Sequence, residues 1–176
     1  EGGAALAEGL RGNSTLQSLN LNSNQLCGVD RYGNGTYTAE GITKLCEGLK
    51  GSAMTSLSLA NNSLCGINPW GEGTYTAEGI TKLCEALKGS TVTSLNLDDN
   101  RLCGVGRSGN GTYTTEGITK LCEGLKGSAV TSLSLWSNAI GHKGASALAA
   151  ILKETQITNL YIGGNRIGDE GASALA

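Results

Sequence analysis

Six cysteines, a single histidine and a glycine-rich loop present in three copies are the parts of this 176-residue chain with the means to do chemistry. Cys27, Cys46, Cys65, Cys84, Cys103 and Cys122 could bind a metal, pair as disulfides or stay as free thiols. No C-x-x-C pair and no partner histidine accompanies them, which argues against zinc. His142 has no Cys, Ser or Asp partner at a recognisable motif spacing, so no nucleophile and base can be assigned. The run Gly33-Asn-Gly-Thr-Tyr-Thr precedes a helical pattern, as a phosphate cradle would. It lacks both the third glycine of the dinucleotide fingerprint and the Gly-Lys of a P-loop. With no nucleophile elbow or paired-carboxylate motif either, the expectation is a chain without catalysis, cofactor or metal.

The elements that must hold these residues explain them better. Leu19, Leu57, Leu95 and Leu133 are each 38 residues apart, and GTYTAEGITKLCEGLKGS (residues 35–52) returns at 73–90 and 111–128 with one change per copy. A fixed period means an array of one supersecondary unit. Each unit opens with period-two leucines, such as Leu57, Leu59 and, past a turn, Leu64, which describes a short strand with one buried face. Asn24, Asn62, Asn100, Asn138 and Asn165 fall where the chain leaves the strand, and their amides suit backbone groups that a buried turn would leave unpaired. Further on, Ile42, Leu45, Cys46 and Leu49 lie on one helical stripe. Thr38 is placed to cap that helix, Glu40 to meet its dipole and Gly51 to end it.

The pattern L-x-x-L-x-L-x-x-N-x-L resembles the leucine-rich repeat, and within it the ribonuclease-inhibitor-like subfamily. The resemblance implies an α/β solenoid, a curved arc with parallel strands on the concave face and helices on the convex face. Geometry agrees, because strands spaced about 4.8 Å apart and helices needing roughly 10 Å cannot stack without bending. The single array divides into a partial repeat at 1–15, long repeats at 16–53, 54–91 and 92–129, a short repeat at 130–156 and a partial repeat at 157–176. Residues 1–12 read as a helix without its strand and residues 170–176 as a helix just begun, so a fragment of a longer array is expected. Leu133 to Leu160 spans 27 residues, so each long repeat carries 11 extra, placed between turn and helix, and the three insertions should stack along one rim. Thr36, Tyr37 and Thr38 have strand-forming side chains that could extend pairing from unit to unit. The resemblance also implies reduced thiols; disulfides within units would fit an extracellular location instead.

Composition narrows the partners. A net charge of −2 and a pI near 5.4 offer no basic face for nucleic acid. No apolar run approaches the roughly 20 residues of a membrane span, and no signal-peptide pattern opens the chain. A cytoplasmic or other intracellular location is expected, and the oligomeric state stays open. Small polar residues alternate with the strand leucines, interrupted by Asp98, Asp99, Trp136 and Tyr161, while the insertion tips vary at Arg31, Tyr32, Trp70 and Arg107. Aromatic and arginine side chains on such surfaces are typical interface anchors. These eight residues are the candidate partner-binding set of a non-catalytic protein-interaction module or scaffold subunit. The resemblance leaves two other roles open: the sensing repeats of an innate-immune-type receptor, which would need a nucleotide-binding domain upstream, and a GTPase-activating regulator, none of whose functional residues match positions here.

Overall fold

The computed structural model describes residues 2–176. Glu1, read from the sequence as part of the first helix, lies outside them. Helices and strands alternate along the chain: α1 (Gly2–Leu10), β1 (Ser18–Asn20), α2 (Glu40–Leu49), β2 (Ser56–Ser58), α3 (Glu78–Leu87), β3 (Ser94–Asn96), α4 (Glu116–Leu125), β4 (Ser132–Ser134), α5 (Gly141–Leu152), β5 (Asn159–Tyr161) and α6 (Gly168–Leu175). The strands form one parallel sheet in sequence order, with Leu19, Leu57, Leu95, Leu133 and Leu160 paired in line. Parallel pairing requires a crossover between strands, and here a helix supplies each one.

The core lies between sheet and helices. Leu57, Leu59, Leu95, Leu97, Leu133 and Leu135 are buried against Ile42, Leu45, Ile80, Leu83, Ile118 and Leu121 of the helical stripes. Each such side chain contributes about 1.5–3 kcal/mol by leaving water. Leu19 and Leu160, in the outer strands, are half-buried because one neighbour covers them instead of two.

The turns after the strands are held by the asparagines. Asn100 Nδ2 donates to the carbonyls of Leu59 at 2.9 Å and Leu97 at 3.1 Å, and its Oδ1 accepts from the backbone N–H groups of Asn62 at 3.1 Å and Leu64 at 3.3 Å. Asn62 and Asn165 make the same links in their own coils, each satisfying backbone groups of the coil before it. Buried turns between coils thereby keep few unpaired backbone groups.

Two local expectations are corrected. The helices begin at Glu40, Glu78 and Glu116, so Ala39, Ala77 and Thr115 occupy the cap position that Thr38 was expected to fill. Thr38 still serves the helix from one residue further out, its Oγ1 accepting from the Glu40 N–H at 3.2 Å. The Thr36-Tyr37-Thr38 segment does not extend the sheet. Each long connection is instead pinched shut on itself, by Thr38 N–H to Cys27 O at 3.0 Å and, in the later copies, by antiparallel bridges of Ile67 with Gly73 and Val105 with Gly111. The link from coil to coil runs through the tyrosine hydroxyl. Tyr75 Oη donates to Leu102 O at 2.9 Å and accepts from the Gly117 N–H at 2.8 Å, and Tyr37 repeats this with Leu64 and Gly79. Gly117 is needed there, since a Cβ would lie 2.4 Å from Leu102 O and 2.7 Å from that hydroxyl.

Candidate functional site

The long connections of the first three coils stack in register along one edge. Arg107 N–H donates to Pro69 O at 2.8 Å, and the bare Cα of Gly71 lies so near Asn110 that a Cβ would approach its carbonyl to 2.2 Å. Within the tips, Asp30 Oδ1 accepts from the N–H groups of Tyr32 at 2.8 Å and Asn34 at 2.9 Å. Asn68 does the same for Trp70 and Glu72 in the next tip. The Asp30 carboxyl is held below its ordinary range, chiefly by its hydrogen bond from the Asn34 side chain. Asp30 and Asn68, at the base of the first two tips, thus set the direction in which Tyr32 and Trp70 leave.

That direction brings four of the expected site residues together. Arg31, Tyr32, Trp70 and Arg107, with Asn61 and Pro69, line one open groove across the three tips. Tyr32 and Trp70 are more than half exposed, and the Arg31 guanidinium lies 4.7 Å over the Tyr32 ring. A second patch sits on the sheet. Tyr161 pairs in register with Ser134, while Trp136, two residues further along the same coil, leans over Gly163 and Gly164. Both aromatics are at least half exposed.

The two aspartates are used differently from the aromatics. Asp98 Oδ1 accepts from Ser134 Oγ and from the Trp136 N–H, both at 2.7 Å, so it fixes the backbone that carries the tryptophan. Asp99 is tied on both oxygens, to Arg101 Nη1 and Arg107 Nη2 at 2.7 Å each. Burial pushes the Asp99 carboxyl up, but the hydrogen bonds from Arg107 and Arg101 outweigh it and hold the group below its usual range. Asp99 therefore joins the sheet end to the third tip.

Arg101 is the residue that reading the sequence missed. It occupies the variable position of N-x-L, which is Gln25, Ser63 and Ala139 in other coils, and reads there as one more polar turn residue. In the structure it is 1% exposed and has a positive φ of 56°. Its burial on a charged side chain is a signal only coordinates supply.

All six cysteines are free, buried thiols, so the disulfides within units that were weighed for an extracellular location are not formed. Burial pushes Cys27, Cys46, Cys84 and Cys103 up to about 12 and Cys122 to about 11, where they behave as small apolar groups. His142 lies exposed, 3.7 Å from Glu170. Among the described residues no group of three metal-ligating side chains gathers, and no helix is long and apolar enough to cross a membrane.

Comparison with known proteins agrees with the coil geometry. Residues 12–27, 129–149 and 155–176 match the Leucine Rich repeat model. The fold is a leucine-rich repeat solenoid. Among solved structures, the solenoid is similar to the tropomodulin C-terminal domain of Caenorhabditis elegans, with a TM-score of 0.64 at 15% identity over 99% of this chain and 89% of that one. It is also similar to the leucine-rich repeat-containing protein LegL7 of Legionella pneumophila, with a TM-score of 0.55 at 22% identity over 86% of this chain and 40% of that one. No curated protein matches the solenoid in sequence.

Proposed function

We propose that this solenoid is a non-catalytic protein-interaction module of ribonuclease-inhibitor-like type that acts as a scaffold subunit in an intracellular assembly. The observation that carries the reading is the exposure of Tyr32, Trp70, Trp136 and Tyr161 on two patches built from rigid coils. Solenoid arrays present extended surfaces to partner proteins, and buried aromatic and arginine anchors dominate the energy of such contacts. Tyr32, Trp70, Trp136 and Tyr161 are the anchors, Arg31 and Arg107 flank the groove, and Asp98 and Asp99 hold Trp136 and Arg107 in place. The intracellular reading draws on six thiols that remain unpaired.

Affinity capture with the intact chain tests this. Paired Trp136→Ala and Tyr161→Ala substitutions, and separately Trp70→Ala, are expected to lower recovery of the specific partner at least tenfold. A Lys82→Glu change on the helical face serves as control and leaves recovery unaltered. Equal recovery by all variants would remove both patches from the proposal.

A further inference from the structure

Between the two aromatic patches lies a cavity of about 90 Å³. Its wall is formed by Arg101 and Arg107, by Arg166 from the turn after β5, and by the backbone of Gly106, Ser137 and Gly164. No aspartate or glutamate lines it. Arg101 and Arg107 share one carboxylate, Asp99, whose two oxygens are both taken by them. Arg101 spends only Nη1, on Asp99 at 2.7 Å and Ser137 O at 2.9 Å, while its Nε and Nη2 are buried with no hydrogen-bond partner. Arg166 Nη2 donates to Arg107 O at 3.0 Å, which anchors the third guanidinium at the cavity edge.

An arginine in this state calls for an explanation. Leaving buried donors of a charged group unpaired is costly, and buried charges are ordinarily fully paired. The cavity is several times the roughly 10–15 Å³ that seats one water, so its volume admits a polyatomic group. Three planar forks reach this one cavity from three separate segments, the turn after β3, the third loop tip and the turn after β5. That suits four oxygens disposed as a tetrahedron better than the two of a flat carboxylate. Guanidinium groups are also the favoured partners of phosphate oxygens, since each offers paired N–H groups at fixed geometry.

We propose that the Arg101, Arg107 and Arg166 cavity is a binding site for a tetrahedral oxyanion of the phosphate class. Arg101 is its buried floor, with Nε and Nη2 as donors already stripped of water, and Arg107 and Arg166 close over the anion from the solvent side. The group is either a free anion or a phosphate monoester on another molecule, and the recognition chemistry is common to both. The proposal stands whether or not the aromatic patches hold a protein.

Nuclear magnetic resonance of arginine side chains tests it in the intact chain. On titration with inorganic phosphate against sodium chloride of matched ionic strength, the Arg101 Nε–H resonance is expected to shift saturably. The Arg166→Gln substitution, at an exposed position that leaves the core untouched, should weaken that response at least tenfold. Arg101→Met should abolish phosphate binding measured by calorimetry. A serine-phosphorylated peptide and its unmodified form make up the second arm: tighter binding of the phosphorylated peptide than of phosphate assigns the site to a partner's phosphate group, and equal or weaker binding assigns it to the free anion. A linear response that chloride reproduces, or unchanged affinity in Arg166→Gln, would overturn the proposal and leave the cavity to water.

Discussion

At the scale of single residues, the fold depends on amides whose two ends do different work. Asn100 is fully buried, and its Nδ2 faces the carbonyls of Leu59, Leu97 and Asp98 while its Oδ1 faces two N–H groups. Asn100→Asp sets a carboxylate oxygen against the Leu59 and Leu97 carbonyls, and about 1–3 kcal/mol is lost for each group left unpaired. Urea unfolding should show a lower midpoint and an unfolding free energy reduced by several kcal/mol, and a loss below about 1 kcal/mol would contradict the ladder. Asp99 makes a second prediction. Its folded value is depressed, so its contribution is fully present above the unfolded value of about 3.9 and disappears as pH falls through the folded one. The difference in melting temperature between wild type and Asp99→Asn should therefore shrink below about pH 4; a constant difference from pH 7 to 2.5 would count against the clamp. The asparagines were legible in the sequence because they recur at every strand exit. Arg101 was not, since a charged side chain in a turn reads as solvated, and only the third coil buries it under its neighbours.

At the scale of elements, helix spacing is set by the smallest side chains. Gly124 of α4 faces Cys84 of α3, and a Cβ there would lie 2.3 Å from Cys84 Cβ. The clash in Gly124→Ala, about 1–3 kcal/mol, outweighs the roughly 1 kcal/mol of helix propensity gained. Thermal unfolding should show a net loss, and a gain in stability would mean that the helices are free to separate. Ala86 holds the corresponding place in α3, beside Cys46 of α2, so the α2 and α3 pair already accommodates a methyl group. The helical cysteines belong to the same surface. Their thiols are neutral in the fold well past the ordinary value, so this contribution is complete below about pH 8.5 and is lost as pH rises toward 12. Ellman's reagent should find no reactive thiol in the native chain and all six on denaturation. Rapid native reaction would place the cysteines at the surface. The stripe of Ile42, Leu45, Cys46 and Leu49 was readable from spacing alone. The Tyr75 bridge was not, because tyrosine flanked by threonines has the local preference of a strand, and the hydroxyl's partners lie 27 and 42 residues away in sequence.

At the scale of the whole molecule, each helix and strand packs on those of the adjoining coils, and the sheet runs in sequence order from β1 to β5; loop side chains reach further, as Arg166 does to the Arg107 carbonyl. Period and leucine pattern made this architecture legible before any coordinates, since a repeat spaced at 38 residues leaves one way to stack. The grouping of Arg31, Tyr32, Trp70 and Arg107 in a single groove was not legible at that level, because it depends on how each tip is turned by Asp30 and Asn68. The claim on which surfaces, cavity and spacing all rest is that one coil can replace another. Removing residues 54–91 in frame joins Ala53 to Val92, which holds in its own coil the place that Met54 holds after Ala53 in the intact chain. Circular dichroism and urea unfolding of this shortened chain should show a cooperative fold with the same secondary structure per residue and a lower midpoint. A disordered chain, or one that melts without cooperativity, would show that the units are parts of a single indivisible core and not stacked coils.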